Sequence, residues 1–170
     1  MTAVAMSPKL RGFWWSVVPL LAADRISKAL AFEALQPAGV PRRVLGNAVR
    51  LTLVFNQDAA MNLSLGAWSR WGFAAIATVG VILLMRILAA TPRSQWQRGA
   101  AVGLVVAGAV GNLLDRIRWD RGVVDFLDVG VGVHRFWTFN VADIGVTIGA
   151  VLLVLSFSRE TSPGDDQLVA

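Results

Sequence analysis

Apolar residues fall into four long runs: about Phe13 to Leu35, Trp71 to Ala90, Gly99 to Leu114 and Val141 to Phe157. Each approaches the roughly 20 residues with which an α-helix crosses a bilayer. The third and fourth runs are slightly short and extend through the polar ends Asp115-Arg116 and Asn140. The expected helices therefore cover about 13–35, 71–90, 99–116 and 140–158, and the pattern predicts an all-α membrane protein with four transmembrane helices. Four spans put both termini on one side, together with the polar tail 159–170, and the segments of about 36–70 and 117–139 on the other. In the first of these segments Val49-Arg50-Leu51-Thr52-Leu53-Val54-Phe55 is β-branched and half alternating, and turn-prone Gly46-Asn47 precede it. This predicts a small β-sheet between helices 1 and 2, lying on the membrane surface.

Composition agrees with a membrane protein. Of 170 residues 55% are hydrophobic and 16% charged, against roughly 25% charged in soluble domains, and the mean hydropathy is +0.58. The length suits a single domain over 1–170. A secretory signal peptide is a poor reading of the first run, which holds Asp24, Arg25 and Lys28 and lacks a convincing small-residue cleavage site before a soluble domain. Tryptophans 14, 15, 68, 71, 96, 119 and 137 cluster near run boundaries, as an aromatic belt does. Cysteine is absent, which excludes a disulfide framework and a thiolate metal site, and the single His134 argues against a multi-histidine metal site or a Ser-His-Asp triad. The net charge of +5 comes from arginines between the apolar runs, a membrane-flanking pattern rather than a nucleic-acid surface. Orientation stays open from charge alone. The terminal side carries Lys9, Arg11, Arg86, Arg93, Arg98 and Arg159, and the opposite side Arg42, Arg43, Arg50, Arg70, Arg118, Arg121 and Arg135. A plain count would put the termini outside, but arginines beside an active site can serve lipid phosphates instead.

Helical spacing then gathers the polar residues. Gly99, Gly103, Ala107 and Gly111 recur every four residues as a small-residue ridge for close packing. Asp115 continues that row, with Asn112 and Arg116 beside it. Asn140, Asp143 and Thr147 share a face of the fourth run, Gly145 and Gly149 form a second small row, and Asp24 with Lys28 is an i,i+4 acid-base pair. All three polar clusters fall at helix ends on the side of the two long segments. Asp125, in Gly122-Val123-Val124-Asp125-Phe126, and Asp143 stand in apolar sequence without a local basic partner. A carboxylate at a membrane edge is costly and marks a functional site by default. Two such groups close together share a proton and serve as an acid-base pair for hydrolysis, with no metal or covalent intermediate.

Plainer readings stand beside these. Asp24 with Lys28 and Asp115 with Arg116 are structural pairs, Asp120 and Asp128 are solvated loop charges, and the glycine ridge is packing. Asp143 read in isolation is as well explained as a first-turn acid favoured by the helix dipole. Ser27-Lys28 is a poor serine-lysine dyad, because adjacent helical residues point apart. From other classes, a small four-helix proton or solute transporter uses similar groups, but here the acids gather at one face rather than stepping through the core. A non-catalytic membrane assembly factor has no use for two apolar-flanked aspartates. Liposome flux that survives loss of cleavage would favour the transporter.

Four motifs, Asp24-Arg25-Ile26-Ser27-Lys28, Gly108-Ala109-Val110-Gly111-Asn112-Leu113-Leu114-Asp115-Arg116, Gly122-Val123-Val124-Asp125-Phe126 and Phe139-Asn140-Val141-Ala142-Asp143, occur in the order seen in lipoprotein signal peptidases. The chain resembles that family, signal peptidase II, across nearly its whole length. The resemblance implies an aspartyl endopeptidase (family A8) with Asp125 and Asp143 as the catalytic dyad. It further implies that Asn56, Asn112, Arg116 and Asn140 shape the site, that Asp24 and Lys28 brace it, and that Asp115 is structural. It implies no cofactor or metal. The implied substrate is a prolipoprotein, cut before its diacylglyceryl-modified cysteine. Membrane phospholipids surround the site, the cyclic peptide globomycin inhibits it, and the chain acts as a monomer without nucleic acid. The implied location is the bacterial inner membrane, with cytoplasmic termini and an extracytoplasmic site. One motif departs from the family's Asn-x-Gly-Ala-Ala-Phe-Ser: here it reads Asn56-Gln57-Asp58-Ala59-Ala60-Met61-Asn62. Aspartate is among the residues that tolerate a positive φ, so the backbone can persist. Its carboxylate would alter substrate or inhibitor contacts if it lies near the dyad.

Overall fold

A computed structural model describes residues 5–57 and 66–158. Asp58, Met61 and Asn62 of the divergent motif lie outside the described residues, as does the tail 159–170. Four long helices are present among the described residues: α1 (Pro8–Ala34), α2 (Ser69–Ala90), α3 (Trp96–Arg118) and α4 (Val141–Ser158). They overrun the apolar runs at several ends. Pro8 starts α1, where its fixed φ suits the first helical position and its missing N–H costs nothing. Lys9 Nζ then donates to Leu88 O, Ala89 O and Thr91 O at 2.8, 3.1 and 2.5 Å, closing the end of α2 with a cation. Helices α2, α3 and α4 are each long and apolar enough to cross a membrane. α1 is longer than any of them at 27 residues, but its charged residues hold it below that hydropathy. Two of those, Asp24 and Lys28, are buried.

α3 is the central helix. Its small-residue row meets α1: a Cβ on Gly103 would lie 2.6 Å from Phe13 O, and one on Gly111 2.6 Å from Asp24 Oδ2. Only hydrogen fits there, which lets the two backbones approach. A core of Phe13, Val17, Leu88, Val102, Val106 and Ala107 joins α1, α2 and α3. Large apolar side chains on the other faces point outward, among them Val18, Ile26 and Leu30 on α1, Ile76, Val79, Ile82 and Leu83 on α2, and Val151, Val154 and Leu155 on α4. That inverted pattern is what a lipid solvent selects.

The sheet differs from its sequence expectation. The strand expected at Val49–Phe55 is β2 (Val49–Asn56), which follows β1 (Arg42–Leu45) after Gly46-Asn47. β2 then pairs with β3 (Val123–Val131), and β3 with β4 (His134–Arg135), in an antiparallel order β1-β2-β3-β4. The sheet is thus built from both long segments, not only from the one between helices 1 and 2. Its register sets Val54 opposite Asp125 and Asn56 opposite Val123, with an irregularity between Leu51 and Val54. Leu53, Val124 and Phe126 pack with Ala31 and Leu35, seating the sheet on the end of α1.

Two charge assignments are corrected. Asp128 is not a solvated loop charge: it is 6% exposed and is held by Arg50 Nε (3.0 Å), Arg135 Nε (2.8 Å) and Thr52 Oγ1 (3.1 Å). Burial alone would push its carboxyl up, but these donors outweigh it and hold it below the usual range. Asp115 does not pair with Arg116. Neighbouring residues on a helix point apart, and Asp115 instead turns to α1, where Arg25 Nη1 and Lys28 Nζ reach it at 2.5 and 2.9 Å.

Candidate active site

The site begins with Lys28, which is 3% exposed. A buried ammonium must be paired, and here Nζ forms ion pairs with Asp24 Oδ2 and Asp115 Oδ2 and donates to Asn112 Oδ1, each at 2.9 Å. The two acids carry the hold onward. Asp24 Oδ1 accepts the Ala142 N–H (3.0 Å) in the first turn of α4, and Asp115 Oδ2 accepts the Val124 N–H (3.3 Å) on β3. Lys28 thereby fixes the residues beside Asp143 and Asp125 respectively. It also orients an amide. With Asn112 Oδ1 facing the cation, Asn112 Nδ2 must face the other way, and it donates to Asp143 Oδ1 at 2.8 Å.

Asn140 makes the second connection. Its Oδ1 accepts the Asp143 N–H, and Asp143 Oδ2 accepts the Asn140 N–H, both at 3.0 Å. This is a reciprocal capping box at the start of α4, with the acid at the third helical position. Asn140 Nδ2 has two protons left and places them on Asp125 Oδ1 (2.6 Å) and Asn112 Oδ1 (3.1 Å). Asn56, at the end of β2, donates its Nδ2 to Asp125 Oδ2 at 3.1 Å. All four carboxylate oxygens of Asp125 and Asp143 thus accept a hydrogen bond, and each donor is an amide.

The two acids sit in different surroundings. Asp125 is 2% exposed, whereas Asp143 is half-buried at a helix N-terminus, where peptide N–H groups favour negative charge. Burial pushes the Asp125 carboxyl up to about 7, the charge of Asp143 adds to this, and the hydrogen bonds from Asn56 and Asn140 oppose it. Arg116 is buried, donates Nη1 to Asn112 O at 3.3 Å and lies within electrostatic reach of both acids.

Asp125, Asp143, Asn56, Asn112, Asn140 and Lys28 are therefore brought into one hydrogen-bonded unit, with Asp24 and Asp115 behind it. Sequence reasoning missed β3, although the β-branched residues Val123, Val124, Val129 and Val131 were a signal for it. It also gave Arg25 no role. The hydroxyl of Ser27 donates to Asp24 O within its own helix, and His134 is exposed on β4.

Residues 16–159 match the family model of signal peptidase (SPase) II. A lipoprotein signal peptidase of Hydrogenovibrio crunogenus is 40% identical over 144 residues, covering 84% of this chain and 82% of that protein. The chain belongs to the signal peptidase II family. Other signal peptidase II relatives agree: one from Cronobacter sakazakii is 37% identical over 163 residues, covering 91% of this chain and 93% of that one. One from Coxiella burnetii is 38% identical over 145 residues, covering 84% and 86%. A solved structure described as a bacterial membrane enzyme has the same fold, with a TM-score of 0.82 over 99% of this chain and 100% of that one, at 24% identity. As a signal peptidase II the chain is an aspartic-type peptidase and a multi-pass membrane protein. The transporter and assembly-factor readings are not favoured.

Proposed function

We propose that this peptidase removes the signal peptide of prolipoproteins by cutting the bond before a diacylglyceryl-modified cysteine, with Asp125 and Asp143 as the catalytic pair. The observation that carries this reading is the single amide scaffold, centred on Asn140, that holds both carboxylates. Asp125 is buried and carries the shared proton. Asp143, half-buried at the start of α4, is the base. In the first step the Asp143 carboxylate takes a proton from water as the water oxygen bonds to the scissile carbonyl carbon. Asp125 gives its proton to the carbonyl oxygen. As the tetrahedral intermediate collapses, the proton on Asp143 passes to the cysteine nitrogen, the C–N bond breaks, and the gem-diol proton returns to Asp125. Asn56, Asn112, Asn140 and Arg116 orient the pair and offset the charge that develops on it.

All four long helices cross the membrane in this reading. The length of α1 supports its crossing, as does the burial of Asp24 and Lys28 away from lipid. The dyad then faces the extracytoplasmic side of the bacterial inner membrane and both termini face the cytoplasm. The exposed Trp68, Trp71 and Trp137 mark the phospholipid headgroup level. The enzyme works as a monomer and is blocked by globomycin.

The test is cleavage of a diacylglyceryl-modified prolipoprotein by purified wild type, D125N and D143N. Both variants should lose activity by about 10²- to 10⁴-fold. Full activity in either one rules out the pair.

A further inference from the structure

Arg70, in the first turn of α2, takes no part in the chemistry above, yet its guanidinium is fully committed. Nε donates to Arg116 O at 2.5 Å and Nη2 to Ile117 O at 3.1 Å. Nη1 pairs with Asp120, and the group lies 4.7 Å from the Trp71 ring centroid. The last carbonyls of a helix have no partner within it. In α3 the Asp115 carbonyl is closed by the Trp119 N–H, and the next two carbonyls go to Arg70. The end of α3, which carries Asn112, Asp115 and Arg116, is therefore held from outside by α2.

Arg70 also reaches the turn that delivers Asp125. Its partner Asp120 belongs to the stretch between α3 and β3, and Asp120 O accepts Gln57 Nε2 at 3.2 Å. Gln57 follows Asn56, the donor to Asp125 Oδ2. Two residues beyond Asp120, Gly122 has φ +91°, and a Cβ there would lie 2.6 Å from Asn56 C. Asp120 is thus tied by its carboxylate to Arg70 and by its carbonyl to the residue after Asn56.

We propose that Arg70 is a positioning residue for the peptidase reaction, acting through the last turn of α3 and the 119–122 turn to set Arg116 and the Asn56–Asp125 contact. This rests on the reading of Asp125 and Asp143 as the catalytic pair. Asp120 is 96% exposed at its side chain, and an ion pair so open to solvent contributes little. The two carbonyl contacts carry the effect. A lysine offers a point charge where the planar fork spans three acceptors, so it replaces Arg70 only in part.

Wild type, R70A, R70K, D125N and D143N are assayed together, full-length, on a diacylglyceryl-modified prolipoprotein, with helicity checked by circular dichroism. R70A is expected to lower kcat by about 10- to 100-fold, the loss that small misplacements produce, with KM unchanged. R70K should recover part of this. The alkaline limb of the pH profile, which reports loss of the Asp125 proton, should move to higher pH in R70A. The Asn56 hydrogen bond favours the charged form of Asp125 against burial and Asp143, so loosening it and displacing Arg116 leaves both less opposed while Lys28 stays in place. Wild-type kcat in R70K overturns the proposal, and so does an unmoved alkaline limb in a folded R70A. If R70A does not fold, R70K decides. Activity in D125N or D143N would instead sink the dyad reading, whereas two inactive dyad variants beside a normal Arg70 series would sink only this inference.

Discussion

Asn140 and Asp143 cap one another: each backbone N–H donates to the other's side chain at 3.0 Å. The start of helix α4 and the seat of a proposed catalytic carboxylate are therefore the same structure. Because Asn140 spends its remaining two protons on Asp125 and Asn112, one residue performs a helix-capping task and an active-site task.

Those tasks are separable by substitution. N140A should lose the cap, about 1 kcal/mol of stability. It should also lose the donor to Asp125, about 1.5–3 kcal/mol of transition-state support, or roughly 10- to 100-fold in kcat/KM. Serine caps as well as asparagine does but is too short to reach Asp125. N140S should therefore match N140A in activity while melting at a higher temperature. Equal melting points would mean that the cap contributes nothing.

The raised Asp125 carboxyl, at about 7, fixes a direction in pH. Between roughly pH 4, where an unfolded aspartate titrates, and pH 7 the folded state holds a proton that the unfolded state has released. Stability from this group is present below pH 4 and falls as pH rises to 7. Asn in its place cannot ionise. The thermal midpoint of D125N relative to wild type should therefore climb across that window and level off above it, and a constant difference would contradict the shift. Asp143, Lys28 and Arg116 face the same group and remain in both proteins.

Gly111 and Gly80 make a paired test of the small-residue ridge. A methyl at 111 would lie 2.6 Å from Asp24 Oδ2 and push that carboxylate off the Ala142 N–H, whereas nothing lies within 4 Å of one at 80. G111A should cost about 1–3 kcal/mol and lower kcat. G80A should be neutral or gain up to about 1 kcal/mol from helix propensity. Unfolding in detergent and the cleavage assay would show whether the two sites behave alike, which the structure forbids.

Asp128 should matter for the sheet and not for the dyad. Its carboxyl is depressed, so its contribution is present above about pH 4, the unfolded value, and disappears as pH falls through its lower folded value. Arg50 and Arg135 are partly exposed, which limits the effect of D128N at pH 7 to about 1–2 kcal/mol. The deficit should close in acid, and the acid limb of catalysis should stay where it is. A moved acid limb would tie the sheet cluster to the dyad.

Relationships within one helix were readable from the chain. Asp24 and Lys28 show their pairing at i,i+4, the row Gly99, Gly103, Ala107 and Gly111 shows its packing face, and Val49–Phe55 shows its strand. Partners brought from elsewhere were not readable. β3 is interrupted by Asp125, Asp128 and Gly130, so its alternation is poor, and nothing local states that β2 is its neighbour. For the same reason Asp128 looked solvated and Asp115 was given the adjacent Arg116. The true partners arrive from another helix or strand. Helix α1 starts ahead of its apolar run because Pro8 acts through its backbone, which hydropathy does not register, whereas α2 ends at Ala90 with its run.

Asp24, on the first helix, holds the Ala142 N–H on the last, 118 residues along the chain, and both proposed catalytic acids lie in the two final elements of the site, β3 and α4. A ribosome that has delivered α1, α2 and α3 has therefore made Lys28, Asn56 and Asn112 but neither acid nor the Asn140 that joins them. With the proposed dyad, cleaving activity waits until β3 and α4 have been made, so the growing chain has no working site.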